Sequence, residues 1–257
     1  MQDTAERGSH ASNRRPADWA NARALVTGAT SGIGKEIARQ LLSAGVTVYV
    51  GARDVRRGQD TVKELGAGAR LLALDVTDGA SVGAAAEAVD QLDVLINNAG
   101  VSLDDLPPTD VDVDVFRRTY ETNVFGVIAV TNAFLPVMRG SARPRIVNVS
   151  SGTGSLGWST QPNPQFPFKT GGRAAAYRSS KSALNALTIF YGQALDDEGF
   201  KVNALAPGLR ATNLNAQAAS AGGDPAEAAA GAVRLALLPK GGPTGGFYSW
   251  DGSVAAW

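Results

Sequence analysis

The run Thr27-Gly28-Ala29-Thr30-Ser31-Gly32-Ile33-Gly34 follows a short apolar stretch at 24–27 and opens an apolar helical pattern at 33–44. Its position gives it meaning. Glycines remove the side chains that would keep an anionic group away from backbone N–H groups and from the positive end of a helix. A strand, a glycine turn and a helix in that order therefore read as a cradle for a pyrophosphate. The spacing is G-x-x-x-G-x-G, and a turn that needs glycine only for its backbone angles is the alternative reading.

Working outward from this turn, the pattern predicts strands at 47–51, 70–74, 93–96, 145–149, 201–205 and 247–250. Helical patterns fall between them at 54–65, 78–89, 111–139 and 173–197, the third with Pro136 in its last turns and the fourth ended by Gly199. A last helix starts where Asp224 caps, Pro225 takes the first helical position and Glu227 reaches back, and Pro239 stops it. Strands alternating with helices predict an α/β protein: one doubly wound Rossmann domain over 22–257, with a central parallel sheet flanked by helices. No internal repeat or interdomain linker is visible. Residues 1–21 show no apolar period and read as a flexible arm. Residues 152–172 break into Gly, Pro, Thr and Trp, a loop long enough to suggest a functional role.

Composition removes several classes of chemistry. The 257 residues contain no cysteine, so disulfides, thiolate nucleophiles and cysteine metal sites are out. The single histidine, His10, lies in the arm, which leaves no imidazole for a Ser-His-Asp hydrolase or a typical catalytic zinc site, and no metal is expected. With 24 basic and 24 acidic residues there is no global field to favour nucleic acid or an anionic membrane. The chain lacks an uninterrupted apolar run of membrane-spanning length and the apolar centre of a signal peptide, and it reads as cytoplasmic.

The second strand ends Gly51-Ala52-Arg53-Asp54, where a ribose would lie. Arg53 can make charge-assisted bonds to a 2′-phosphate while Asp54 caps the next helix, which favours NADP(H). The alternative has Asp54 on the ribose, Arg53 solvated, and NAD(H) as cofactor. Further on come Asn97-Asn98-Ala99-Gly100, Asn123, Ser150-Ser151, Tyr177-x-x-x-Lys181, and Pro207-Gly208 followed by Thr212.

In this order, these motifs resemble the short-chain dehydrogenases/reductases from about residue 23 to the end of the sequence. The resemblance implies that Asn123, Ser151, Tyr177 and Lys181 are the catalytic residues. It implies a nicotinamide cofactor held by Gly28, Thr30, Ser31, Gly32, Ile33, Gly34 and Arg53. Asp75 and Val76 would lie against the adenine, and Asn97, Asn98, Ala99 and Gly100 along the cofactor. Tyr177, Lys181, Pro207, Gly208 and Thr212 would complete the nicotinamide end. One departure is Ser31, where NADP-preferring members often carry Lys or Arg, so the NADP(H) reading rests on Arg53. A second is the interval of 26 positions from Ser151 to Tyr177, against about a dozen in most relatives, which makes 152–172 an insertion. With the Gly-Ala-Arg-Asp run and the closing Gly-Phe-Tyr-Ser-Trp-Asp-Gly segment, it resembles the carbonyl reductase branch. Some members of that branch use an insertion to cover the oligomerisation surface, and monomer and homo-oligomer both stay open.

Tyr177 and Lys181 are one helical turn apart, so both side chains leave the same face. The lysine ammonium is expected to lower the phenol pKa and make Tyr177 a proton donor to a carbonyl oxygen as hydride reaches its carbon. Ser151 can donate to the same oxygen, with Ser150 as the adjacent rival. The resemblance adds that Asn123 holds a water in a proton path and that Lys181 binds the nicotinamide ribose. Leu156, Trp158, Phe166, Phe168, Leu209 and Leu214 offer an apolar wall for a lipophilic or aromatic ketone, aldehyde or quinone, and the alternative is that the aromatics only pack the loop. Two rival functions remain in view: an alcohol dehydrogenase running the same site in the oxidative direction, and a non-catalytic dinucleotide-binding sensor or scaffold.

Overall fold

A computed structural model describes residues 19–167 and 169–257. The strands β1 (Arg23–Thr27), β2 (Thr47–Ala52), β3 (Ala69–Ala73), β4 (Val94–Asn97), β5 (Arg145–Val149), β6 (Lys201–Ala206) and β7 (Gly246–Ser249) form one sheet in the order β3-β2-β1-β4-β5-β6-β7. All neighbours are parallel. This is the doubly wound Rossmann sheet that the alternation predicts. The order reverses between β1 and β4, and that junction opens a crevice beyond the carboxyl ends of the strands.

Helices cover both faces because the central strands are apolar on both sides. On one face α1 (Gly32–Ser43) and α9 (Pro225–Ala236) bring Ile37, Leu41, Ala232 and Leu235 onto Val26, Ile96 and Leu205. On the other, α3 (Gly79–Glu87) and α5 (Gly126–Met138) bring Val82, Phe134 and Met138 onto Leu25, Leu95 and Ile146. Phe134 is fully buried, a placement that contributes about 1.5–3 kcal/mol. The helix α2 (Val55–Leu65) packs beside β2 and β3.

The pattern at 111–139 is not one uniform helix. It runs as α4 (Val113–Tyr120), a π turn (Glu121–Phe125) and α5, with Asn123 inside the π turn. By length and mean hydropathy (1.2) the continuous stretch Val113–Met138 could cross a membrane, which the interrupted apolar pattern did not anticipate. Its apolar side, with Val130, Phe134 and Met138, is buried against the sheet.

The 152–172 segment holds a 3-10 turn (Gly152–Gly154) and a short helix α6 (Leu156–Thr160), both too short to leave a periodic signal. Beyond it lie α7 (Ala175–Ala194) and α8 (Ala216–Ala219), the latter also invisible in the pattern. Most of the expected arm, His10 included, lies outside the described residues. Its inner boundary moves outward, because Trp19 is 3% exposed in the core, with the Arg143 guanidinium 4.7 Å from its ring centroid.

Candidate active site

Local packing dictates the glycines after β1. Gly28 has φ +63, and a Cβ there would lie 3.0 Å from the Ala99 Cα. A Cβ on Gly34 would come within 2.3 Å of Asn98 Nδ2 and 2.6 Å of the Gly28 carbonyl. The turn after β4 is thereby locked under the loop: Asn98 N and Ala99 N donate to Thr27 Oγ1 at 3.0 and 2.9 Å, and Asn98 Nδ2 donates to the carbonyls of Thr27 and Gly28.

The first turn of α1 differs from its counterparts. Asp54, Asp78, Asp112, Asn215 and Asp224 each accept a backbone N–H at the start of α2, α3, α4, α8 and α9. The Ser31 side chain makes no such bond, and α1 has no acidic residue in its first turn. Its orphan donors border a cavity of about 490 Å³, whose lining includes Thr30, Ser31, Gly32, Ile33 and Gly34. Unanswered N–H groups at a helix start suit an anionic group such as a dinucleotide pyrophosphate.

The cavity runs from the end of β2 to α7. At the β2 end, Arg53 and Asp54 line it, and Asp54 caps α2 by accepting from Arg57 N at 3.1 Å. Arg57 lines the same wall, one helical turn beyond Arg53. It was not singled out from the sequence, although its four-residue spacing from Arg53 was available as a signal. Asp75 and Val76 also border the cavity. The backbone N–H and hydroxyl of Thr77 both donate to the Asp75 carboxylate and hold its pKa below the ordinary range.

At the other end, Tyr177 and Lys181 project from α7, and Ala99, Gly100, Val149, Pro207 and Thr212 close around them. The Ser151 hydroxyl acts on the Tyr177 phenol from outside the cavity lining and meets Thr153 Oγ1 at 2.9 Å. Ser150 borders the cavity, but its hydroxyl is committed to Asn185 Oδ1 at 2.6 Å and to the Lys181 carbonyl. Of the two serines, only Ser151 turns its hydroxyl toward the phenol.

Burial pushes the Tyr177 phenol above its ordinary value, and the Ser151 bond pulls the other way. The expected lowering by Lys181 is not found. Its Nζ donates to the Val149 carbonyl at 2.9 Å and sits 5.8 Å from the Tyr177 ring centroid. Burial lowers Lys181 itself to about 8.

Asn123 is fully buried and does not border the cavity. Its Oδ1 accepts from Val101 N at 2.8 Å, and its Nδ2 donates to the Val101 carbonyl and to Ser180 Oγ at 2.9 and 3.0 Å. The side chain ties the segment beyond Gly100 to α7.

A family model described as short chain dehydrogenase matches residues 22–222. The chain belongs to the short chain dehydrogenase family. It is 33% identical to (-)-isopiperitenone reductase of Mentha piperita, over 90% of this chain and 97% of that protein. The NADPH-bound carbonyl reductase from chicken fatty liver superposes with a TM-score of 0.78 at 27% identity, covering 93% of this chain and 100% of that one. The 3-ketoacyl-(acyl-carrier-protein) reductase of Brucella melitensis in complex with NADH does so with a TM-score of 0.78 at 26% identity, covering 90% and 97%.

In this short chain dehydrogenase several expected site residues lie elsewhere. Asn97 is buried beneath the sheet end, donating to Thr131 Oγ1 and Asn148 Oδ1. Gly208, at φ +68, packs toward Trp250 and does not line the cavity. Leu209 is 49% exposed and outside the lining, whereas Leu214 is within it. Trp158 is 7% exposed in a cluster with Phe247 and Ala255, and Phe166 packs against that cluster. Their rings pack the insertion on the domain, and neither residue is among those lining the cavity. Phe168 lies outside the described residues. Leu103, which the sequence reading omitted, lines the cavity at 44% exposure.

Proposed function

We propose that the protein is an NADP(H)-dependent reductase of small lipophilic carbonyl compounds, with Tyr177 as the proton donor. The observation that carries this reading is the arrangement of one cavity: a pair of arginines at one end and the Tyr177 phenol with Lys181 at the other. Arg53 and Arg57 can converge on a 2′-phosphate, the group that distinguishes NADPH from NADH. The uncapped start of α1 suits the pyrophosphate between the two ends.

A bound nicotinamide would supply the hydride. The chain supplies the proton and the dipoles: Tyr177 Oη donates to the carbonyl oxygen while Ser151 Oγ donates to the same oxygen as charge builds on it. The Tyr177 phenol holds its proton at neutral pH, the state from which a reduction starts. Lys181, at about 8, is mostly an ammonium at pH 7 and adds positive charge beside the ring. Asn123 holds Val101, and through it the wall next to Gly100, in register with α7. Leu103 and Leu214 place apolar surface on the two loops at the mouth, which supports a lipophilic substrate.

The test follows loss of reduced-cofactor absorbance with NADPH and, separately, NADH, across ketones, aldehydes, quinones and small polar oxo acids. Turnover with NADPH on the apolar carbonyls is expected. A preference for NADH, or for the polar acids, would overturn the corresponding half of the reading.

A further inference from the structure

Beyond Pro207 the chain buries its arginine and exposes its leucine: Arg210 is 8% exposed and Leu209 49%. A buried guanidinium is costly unless it is well paired. Here Nη1 meets Glu227 Oε2 at 3.0 Å, but that glutamate is half exposed, and Nε and Nη2 have no hydrogen-bond partner among the described residues. The indole of Trp250, 4.3 Å from the guanidinium, supplies the remaining support. An apolar side chain would satisfy the same space at no desolvation cost, so stability alone does not account for this residue.

Its surroundings suggest another role. The segment 211–223 leaves from Arg210 and returns to it. Ala211 N donates to the Gly223 carbonyl at 2.8 Å, and a Cβ on Gly223 would lie 2.7 Å from Arg210 Nη1 and 2.4 Å from the Leu209 carbonyl. Both ends of the segment therefore close on one guanidinium, which is tied in turn to the first turn of α9 and to the residue following β7.

Between those ends the segment spans the cavity. Thr212, Asn213 and Leu214 line it, and the Thr212 methyl approaches within 3.1 Å of where a Gly32 Cβ would stand. Asn215 Nδ2 reaches Ser102 Oγ on the opposite loop at 3.3 Å. We infer that Arg210 is a positioning residue that holds 211–223 as a strap across the cavity and so sets how tightly the nicotinamide cofactor is retained. The cofactor part of this inference rests on the function proposed above.

The experiment compares wild type with Arg210→Met, Arg210→Lys and Glu227→Gln in three measurements: thermal unfolding, amide hydrogen exchange of the ligand-free protein, and NADPH binding by fluorescence. For Arg210→Met we expect an unfolding temperature equal to or above wild type and exchange at least tenfold faster within 211–223 only. The NADPH Kd should rise roughly tenfold, with kcat changed less. Arg210→Lys, which keeps the charge without the planar fork, should fall between the two. If Arg210→Met does not fold, Glu227→Gln, altered at a half-exposed carboxylate, carries the same exchange measurement with the same expectation. Unchanged exchange at 211–223, or faster exchange across all strands with a lowered unfolding temperature, would overturn the inference. If wild type binds neither NADPH nor NADH, the proposed function fails, while exchange in the ligand-free protein still decides whether Arg210 holds the strap.

Discussion

The glycine turn after β1 and the insertion at 152–172 both border the catalytic framework, and opposite things hold them in place. In the turn, backbone approaches backbone: a Cβ on Gly28 or Gly34 would collide with Ala99, Asn98 or the Gly28 carbonyl. In the insertion, side chains are the fasteners. Trp158 and Phe247 lie 6.4 Å apart, Phe247 stacks on Trp257 at 5.2 Å, Gln165 Nε2 donates to Ser249 Oγ, and Arg178 bonds Ser159 and Thr170. A site built from backbone presents fixed donors to whatever anion it binds. A segment held by aromatic rings has those rings occupied and leaves few to meet a substrate.

That contrast can be broken or sharpened by mutation. The largest effect is expected at the catalytic end, which both regions leave untouched. Tyr177→Phe removes the proposed proton donor and should lower kcat roughly 10³-fold with NADPH affinity preserved, measured by steady-state turnover and cofactor titration. Trp158→Ala should cost about 3–5 kcal/mol in denaturant unfolding and leave the KM for the carbonyl substrate unchanged. A shifted KM in a still-folded variant would mean that the insertion reaches the substrate after all.

Lys181 comes next. Its pKa falls from 10.5 to about 8 on folding, so the unfolded chain binds more protons between those values. Burying the charge then costs stability in full below pH 8, and the cost fades as pH rises toward 10.5. Lys181→Met removes that pH-dependent cost together with the bond to the Val149 carbonyl, so its stability relative to wild type should be more favourable at pH 7 than near pH 10.5, while turnover is lost. An equal difference from wild type at both pH values would sink this account. The smallest change is expected at the cofactor's far end: Arg57→Ala should raise the KM for NADPH by roughly ten- to a hundredfold, about 1.5–3 kcal/mol, and leave that for NADH alone. An equal loss with both cofactors would remove Arg57 from the 2′-phosphate.

Legibility followed the range of the interactions. The seven strands, the glycine turn and the Asp54 and Asp224 caps are local patterns, and each stands within a residue or two of its expected place. The π turn at Asn123 was hidden because its sequence differs little from ordinary helix, and only packing against Val101 and Ser180 shows why a buried asparagine sits there. Arg57 went unnoticed because a surface cation on a helix is commonplace until the cavity wall places it beside Arg53.

By itself, the sequence determined the parallel α/β order, the position of the glycine turn and the one-turn spacing of Tyr177 and Lys181. These depend on periodicity, turn chemistry and helix geometry within a few residues. Only the tertiary structure decided that the Ser150 hydroxyl is taken by Asn185, that the phenol pKa rises, that Trp158 and Phe166 pack inward, and that Arg210 gathers both ends of 211–223. Each of these depends on groups brought together from distant parts of the chain, where desolvation and competition for hydrogen-bond partners decide the outcome and no local pattern encodes the neighbour.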